Sequence, residues 1–206
     1  TSTDVAHFAG RDLSALERSF DAQVAGVRIR APMLAIHTVA AGGGSILHFD
    51  GSRMRVGPDS AGADPGPACY GKGGPATITD CNALLGRIHP DFFPQVFGTD
   101  GRQPLNLAAA REQLSALYQE IINKNNNLQS IETMAEGFLR IAVENMANAI
   151  KKISVQRGHD VTAYTLACFG GAAGQHACRV ADALGMPQVL IHPFAGVLSA
   201  YGMGLA

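Results

Sequence analysis

The stretch Val161-Thr162-Ala163-Tyr164-Thr165-Leu166-Ala167-Cys168-Phe169-Gly170-Gly171-Ala172-Ala173-Gly174-Gln175-His176 decides the fold class. Its first nine residues are a largely apolar run of strand length. Glycine is entropically poor in strands and helices alike, so the strand is expected to end at Phe169. A helix is expected from about Gln175 to Leu184, ended by Gly185 and Pro187. Val189-Leu190-Ile191 then reads as another short strand, stopped by Pro193. Strand, helix and strand in this order predict a β-α-β unit with buried strands and a partly parallel sheet.

The glycine joint has two readings. It can let the backbone lie against a flat or charged ligand, with the free N–H groups of a helix N-terminus beside it. It can equally serve close packing of helix on strand. A dinucleotide fingerprint fits poorly, because the full G-x-G-x-x-G is missing. The next strand also ends at Ile191-His192, where a ribose-binding acid is wanted.

Upstream of this unit the chain is helical. Leu107, Leu114, Leu117 and Ile121 form one apolar stripe behind a cap at Asn106, and Asn123–Asn127 break it. Ser130 opens a longer helix, with Met134, Phe138, Ile141, Ala142, Met146, Ala149 and Ile153 at a period near 3.6. Lys151, Lys152 and Arg157 suit its negative end, and Gly158 is its expected stop. Residues 57–104 are punctuation. Gly57-Pro58-Asp59-Ser60-Ala61-Gly62-Ala63-Asp64-Pro65-Gly66-Pro67 excludes helix and central strand and predicts an ordered loop. Residues 1–60 read as strands: Val5–Ala9, Val24–Ile29, Met33–Val39, and a hairpin of Ile46–Phe49 and Met54–Val56 about Asp50-Gly51. Residues 1–100 are thus a β-rich part and 101–206 a helical and β-α-β part, together one domain. No internal repeat is present.

Composition agrees with a folded domain. Of 206 residues, 47% are hydrophobic and 16% charged, which excludes a disordered chain. The net charge of −1 gives no general attraction to nucleic acid or to an anionic membrane, and no apolar run is long enough to span one. Cys69, Cys81, Cys168 and Cys178 form no C-x-x-C pair, so a reduced, cytoplasmic protein is expected.

Several residues invite chemistry. Thr1-Ser2-Thr3-Asp4 offers hydroxyls and one carboxylate, a set that suits phosphate and Mg²⁺ through water, or a simple turn. Gly66-Pro67-Ala68-Cys69-Tyr70-Gly71-Lys72 imitates a phosphate-binding loop. Gly73 stands where Ser or Thr is needed, however, and Pro67 removes an N–H, so the match is rejected. His37, His48, His89, His159 and His192 are single and lack ligand spacing. His176, at the start of the helix after the glycines, is better placed for a functional role, the alternative being that it only caps or lines the joint. A thiol near a helix N-terminus is activated, but Cys168 reads as inert in a buried strand and Cys69 as structural in its loop.

Taken in order, Thr1–Val5, the run Thr38–Ser45, the loop Gly57–Tyr70, the turn Thr79-Asp80-Cys81-Asn82, Phe169–Ala177 and Gly196–Ala200 resemble the hydantoinase A/5-oxoprolinase family. With Ala6-His7-Phe8-Ala9-Gly10, the wording is most similar to the single-chain ATP-dependent 5-oxoprolinases. The resemblance covers nearly the whole chain and is thinnest over 101–130. It implies an α/β fold, the second-domain half of an actin-like, sugar-kinase-like ATPase, with mixed sheet and packed helices. It also implies an excised fragment, because the chain opens inside the phosphate hairpin pattern. The missing partners are then an N-terminal domain and a hydantoinase B-like region of a homo-oligomeric parent.

The resemblance implies ATP and Mg²⁺ as cofactors. Thr1, Ser2, Thr3 and Asp4 then face the β- and γ-phosphates, with Asp4 the Mg²⁺ residue acting through water. Gly170, Gly171, Ala172 and Gly174 receive the adenosine. The loop around Asp64 and Cys69 docks on missing regions or lines a substrate cavity. The implied substrate is a small cyclic amide, 5-oxo-L-proline, opened to L-glutamate with ADP and phosphate. Hydantoin or N-methylhydantoin is the next choice, ketone carboxylation a more distant one, and a non-catalytic ATP-binding or assembly module stays open. No catalytic base is identified, and the isolated chain is expected to be inactive.

Overall fold

The structure is a computed structural model that describes residues 2–10, 18–24, 26–31, 33–124 and 128–205. Its centre is α3, Ile131–Ile153. Ser130 caps it, the hydroxyl oxygen accepting from the Thr133 N–H at 3.1 Å. Six of the seven stripe residues are buried, and Ile141 is half-buried. Met134, Phe138 and Leu139 are sealed from solvent together with Ile78 of α1 (Ile78–Leu84) and Leu114 of α2 (Leu107–Lys124). Side chains of this size each contribute about 1.5–3 kcal/mol when buried. Val180 and Leu184 of α4 (Ala177–Leu184) join the same core, as do Leu47 and Val56. One core therefore takes residues from both sides of residue 100.

The strands form two-stranded sheets. β1 (Thr3–Val5) pairs antiparallel with β6 (His37–Val39), Asp4 opposite Thr38. β2 (Arg18–Ser19) pairs with β5 (Met33–Leu34), and β3 (Ala22–Val24) with β4 (Val27–Ile29). The Asp50-Gly51 hairpin forms as expected from β7 (Ser45–Phe49) and β8 (Met54–Ser60). β9 (Thr165–Cys168) and β10 (Gln188–Ile191) are parallel, Leu166 opposite Val189, with α4 between them in sequence. The β-α-β unit is therefore present, and α5 (Leu198–Leu205) follows it. No helix among the described residues is long and apolar enough to cross a membrane.

Several boundaries differ from expectation. Val24–Ile29 is not one strand, because the chain turns at Gly26, φ +82°, to make the β3–β4 hairpin. Met33–Val39 divides into β5 and β6. β8 continues through Gly57-Pro58 to Ser60. Its only ladder partner among the described residues is β7, so the N–H that Pro58 lacks falls on an open edge. Asn106 caps α2 through the Ala109 N–H at 2.9 Å, but Leu107 is exposed and Ala110 takes its place inside. The Asn123–Asn127 break falls partly on 125–127, outside the described residues. α3 stops four residues early, where the Ser154 hydroxyl donates to the Ile150 carbonyl at 2.5 Å. A 3₁₀ turn, Val155–Arg157, then carries the chain to Gly158. Likewise Asp160 accepts from the Thr162 N–H at 3.0 Å and winds Val161–Ala163 into a turn, so β9 begins only at Thr165. β10 is also not buried, Leu190 and Ile191 being 59% and 52% exposed, and in β9 only Cys168 is buried.

The glycine–proline loop is ordered by one carboxylate. Asp80, fully buried, accepts from the Thr77 N–H and hydroxyl at 2.8 Å each, from Ala68 N–H at 3.1 Å and from Cys69 N–H at 2.7 Å. Thr77 and Asp80 thereby form the capping box of α1. Replacing Asp80 by alanine strands several buried donors, each costing about 1–3 kcal/mol. Asp80→Ala is expected to lose at least about 3 kcal/mol in chemical denaturation and to open Cys69 to a thiol reagent. An unchanged midpoint with an unreactive Cys69 contradicts this account.

Candidate functional site

A cavity of about 390 Å³ lies between the amino-terminal strand and the glycine joint. That is within the range of small-molecule sites. Ser2, Thr3 and Asp4 line one side, and Gly170, Gly171, Ala172 and Ala173 the other. Gly42 and Gly43 close the gap between them, and Met146, Ile150 and Val180 form an apolar wall. The two regions singled out from sequence therefore face one space. Thr1 lies outside the described residues, and Gly174 is not part of the lining.

Local chemistry sets the polar side. β1 holds Asp4 opposite Thr38, whose hydroxyl donates to Asp4 Oδ1 at 2.5 Å, while Ser2 donates to Oδ2 at 3.1 Å. The Thr3 hydroxyl donates to the Ala41 carbonyl at 2.5 Å, leaving its oxygen free to accept. Among the described residues no three His, Cys, Asp or Glu side chains are grouped to hold a metal. Asp4 is a single carboxylate with hydroxyls beside it. Such a site fits a cation that keeps most of its water and shares the remaining contacts with phosphate.

The joint side is shaped by backbone. Gly170 has φ +97°, and its N–H donates to the Ala195 carbonyl at 2.8 Å. A Cβ on Gly171 or Gly174 would meet nothing within 4 Å. Packing inside this chain therefore does not demand glycine at either position, which removes the close-packing explanation for them. Gly43 is the opposite case. A Cβ there would sit 2.8 Å from Thr79 Oγ1 and 3.5 Å from the Ala172 Cβ. The two sides of the cavity approach each other there, and only a bare backbone fits.

α1 ties Gly43, between the two sides, to the joint side. The Thr79 N–H donates to the Gly43 carbonyl at 2.8 Å, and Asn82 Nδ2 donates to Gln175 Oε1 at 2.8 Å. Neither link was drawn from sequence, although Thr79–Asn82 and Phe169–Ala177 both stood out there. The contributions of Met146 and Ile150 were also missed, because the α3 stripe reads simply as core.

His176 is buried at the start of α4 and lines the cavity. Burial first, then the Arg87 and Arg179 charges, push its pKa down to about 4. Both cysteines weighed as nucleophiles have their thiol pKa raised, in keeping with the structural reading of each. Burial, then the Asp80 charge, holds the Cys69 thiol far above its usual range. Burial, then Cys178, raises Cys168.

The whole chain, residues 1–206, matches the family model described as Hydantoinase/oxoprolinase, and the chain belongs to that family. It is 49% identical over its full length to the 5-oxoprolinase of Dictyostelium discoideum, covering 16% of that protein. The chain thus spans about one sixth of that relative's length. Among solved structures it is similar to the ATP-dependent caprolactamase of Pseudomonas jessenii, with TM-score 0.73, 39% identity, and 90% of this chain and 26% of that one covered. It is also similar to nucleotide-free acetone carboxylase, with TM-score 0.77, 25% identity, and 98% of this chain and 27% of that one covered. The mixed α/β architecture is that of the actin-like ATPase-type fold these enzymes share.

Two outcomes follow from the geometry. Gly171→Ala places a methyl in open space at an ordinary φ, so its stability should stay within about 1 kcal/mol of the parent, whereas Gly43→Ala should lower the melting temperature clearly. Equal losses in thermal unfolding contradict the reading of the joint. The second concerns pH. The folded state resists protonating His176 while the unfolded chain takes a proton near 6.5. Stability contributed by the neutral ring is present above that pH and lost as pH falls from about 6.5 toward 4, on the order of 3 kcal/mol in all. His176→Phe should flatten that part of the stability–pH curve, and a slope identical to the parent's contradicts it.

Proposed function

We propose that the chain is the nucleotide-holding part of a longer ATP-dependent amidohydrolase that opens the lactam ring of 5-oxo-L-proline to L-glutamate. The observation that carries this is the single cavity lined by both Ser2–Asp4 and Gly170–Ala173. One end offers hydroxyl oxygens and a carboxylate, and the other offers bare backbone beside an apolar wall. A nucleotide has the same division, a charged phosphate tail and a flat base. Ser2, Thr3 and Asp4 hold the phosphate end, with Thr1 their sequence neighbour. Gly170, Gly171 and Ala172 let the adenosine lie on the joint, with Gly174 behind them. The 5-oxoprolinase relative supports the choice of lactam.

ATP would phosphorylate the amide oxygen and leave as ADP; water would then add to the activated carbon, the ring C–N bond would break with the nitrogen leaving as the amine, and a second water would hydrolyse the remaining acyl phosphate to carboxylate and phosphate. The chain's own contribution is position and electrostatics, the main source of catalysis in phosphoryl transfer. Mg²⁺ neutralises phosphate charge when bound, and Asp4, kept in place by Ser2 and Thr38, holds it through water.

That the chain is part of a longer enzyme is supported by its surface. Parallel sheets are normally covered on both faces. Here Phe169, Leu190, Ile191, Phe194, Met203 and Leu205 are all exposed around the β9–β10 pair and α5. Such an apolar surface suits an N-terminal domain and a hydantoinase B-like region packed against it. A reducing, cytoplasmic setting and a place in glutathione metabolism belong to the same proposal, the setting supported by four free cysteines.

The test is ADP release by the full-length parent with 5-oxoproline, hydantoin and N-methylhydantoin side by side. Turnover should be greatest with 5-oxoproline. ATP hydrolysis indifferent to every cyclic amide removes the amidohydrolase reading. Asp4→Asn should raise the Mg²⁺ concentration needed for half-maximal rate by about tenfold, the loss of one charge-assisted contact. A normal Mg²⁺ dependence takes Asp4 out of the site.

A further inference from the structure

Phe92 is 86% exposed, more than any other large apolar side chain among the described residues. Phe93 and Val96 beside it are 41% and 55% exposed. The segment that carries them is held in place. Pro90–Phe92 is a 3₁₀ turn, in which the Phe92 N–H donates to the His89 carbonyl at 3.1 Å and the Phe93 N–H to that of Pro90 at 3.0 Å. Further on, Phe97 and Gln103 exchange two backbone hydrogen bonds at 2.9 Å each, and the Gly98 N–H donates to the Tyr70 carbonyl at 2.8 Å. Phe97 turns inward, its ring 4.9 Å from that of Tyr70, onto a small core of Cys69, Ala83, Ile88, Leu105 and Ala110. A free apolar loop would fold its other side chains onto the same core, since exposing them costs about 25 cal/mol per Å². Here the backbone bonds, with Pro90 and Pro94, keep Phe92 and its neighbours outward. None of Phe92, Phe93 and Val96 lines the cavity, and the small core beneath them takes no residue from β9, β10 or α5.

We propose that Phe92, with Phe93 and Val96 around it, anchors a docking surface for the remainder of the same polypeptide, which meets it with an apolar pocket; this rests on the reading of the chain as part of a longer enzyme. The size of the patch selects that partner. A separate subunit needs about 800 Å² buried on each side for a stable complex. A buried phenylalanine accounts for about 150–250 Å², so two phenylalanines, one of them only partly exposed, and a valine fall well short. A tethered partner does not need that area, because it is presented at an effective concentration on the order of millimolar. Chain is available to supply it, since the residues here span 16% of the 5-oxoprolinase relative. The held backbone also lowers the cost of ordering the contact, and an aromatic side chain seated in a pocket is the usual centre of such a contact. A lipid surface fits less well. Membrane-binding segments join apolar side chains to lysine and arginine, and residues 89–97 carry neither, with Asp91 next to Phe92.

The experiment puts the photo-crosslinker p-benzoylphenylalanine in place of Phe92 in the full-length parent and maps the products by denaturing gel and peptide mass spectrometry. The expected crosslink joins that position to a peptide outside residues 1–206 of the same molecule. The band then keeps the mass of one polypeptide, and the yield is unchanged on dilution. A band of doubled mass overturns the proposal in favour of a second copy, and a crosslink within residues 1–206 overturns it in favour of internal packing. Absence of any crosslink overturns it too. Two ordinary variants read the same contact without the crosslinker. Phe92→Asp puts a charge into the pocket and should make the parent about tenfold more susceptible to proteolysis around this segment, whereas Phe92→Leu should stay close to the parent. Cleavage of the Phe92→Asp protein at the parent's rate overturns the proposal, since so exposed a side chain has little to lose within this chain. Binding of the parent to phosphatidylcholine–phosphatidylserine vesicles that Phe92→Asp abolishes overturns it in favour of a lipid surface. No readout here needs turnover, so failure of the lactam reading and failure of the docking surface are told apart. A natural polypeptide no longer than this chain defeats the longer-enzyme reading first, and this inference with it.

Discussion

The Asp80 carboxylate is sealed from solvent and accepts four hydrogen bonds, all from atoms of Thr77, Ala68 and Cys69. A buried carboxylate is costly unless its oxygens are satisfied. Here satisfying it has two structural effects at once. It fixes the first turn of α1, and it gathers a loop too rich in proline and glycine to organise itself. α1 then reaches in opposite directions, to Gly43 through the Thr79 N–H and to Gln175 through Asn82. This short helix thus holds Gly43 and the glycine joint at a fixed spacing.

α3 supplies the rigid side of that arrangement. One face buries Met134, Phe138 and Leu139 against α1 and α2, and its later turns send Met146 and Ile150 into the cavity wall. The same apolar period serves core and site. A change at the core end is therefore transmitted along one stiff element to the cavity, since packed interiors adjust only slightly when volume changes. β1 and β6 lean on the far end of α3, Val5 packing with Ala149 and Ile153. Asp4 thus inherits its position from the helix that also bounds the joint.

Local signals were legible wherever the cause was local. The caps at Asn106 and Ser130, the Asp50-Gly51 hairpin and the glycine stop at Gly185 each depend on a few neighbouring residues, and each occurs. Apolar runs misled wherever a side chain captured the backbone. Asp160 diverted Val161–Ala163 into a turn, and Ser154 ended α3 early. No hydropathy pattern carries that information. The regions expected to share a ligand were legible as motifs, Ser2–Asp4 and Gly170–Ala172, and both border the cavity. What joins them was not, because the Asn82–Gln175 bond spans 93 positions of sequence. The burial expected for β10 and most of β9 failed for another reason: apolar composition records that a strand is to be covered, and the described residues do not supply the cover.

The division of polarity inside the cavity limits what it can accept. Among the described residues Asp4 is its one carboxylate side chain, and no lysine or arginine lines it. A free anion would meet repulsion with nothing in the lining to offset it, so an anionic ligand needs its own cation or help from outside the chain. A wholly apolar ligand would press against the Asp4 carboxylate, whose lone pairs Ser2 and Thr38 only partly occupy, and displace water from it. The ligand that meets neither difficulty is long enough to cross from β1 to the joint, arrives with a hydrated cation at one end, and ends at the other in a flat group that lies on bare backbone. Each requirement comes from a different wall: α3 positions the strand that carries Asp4, and the helix that Asp80 caps holds the joint against Gly43.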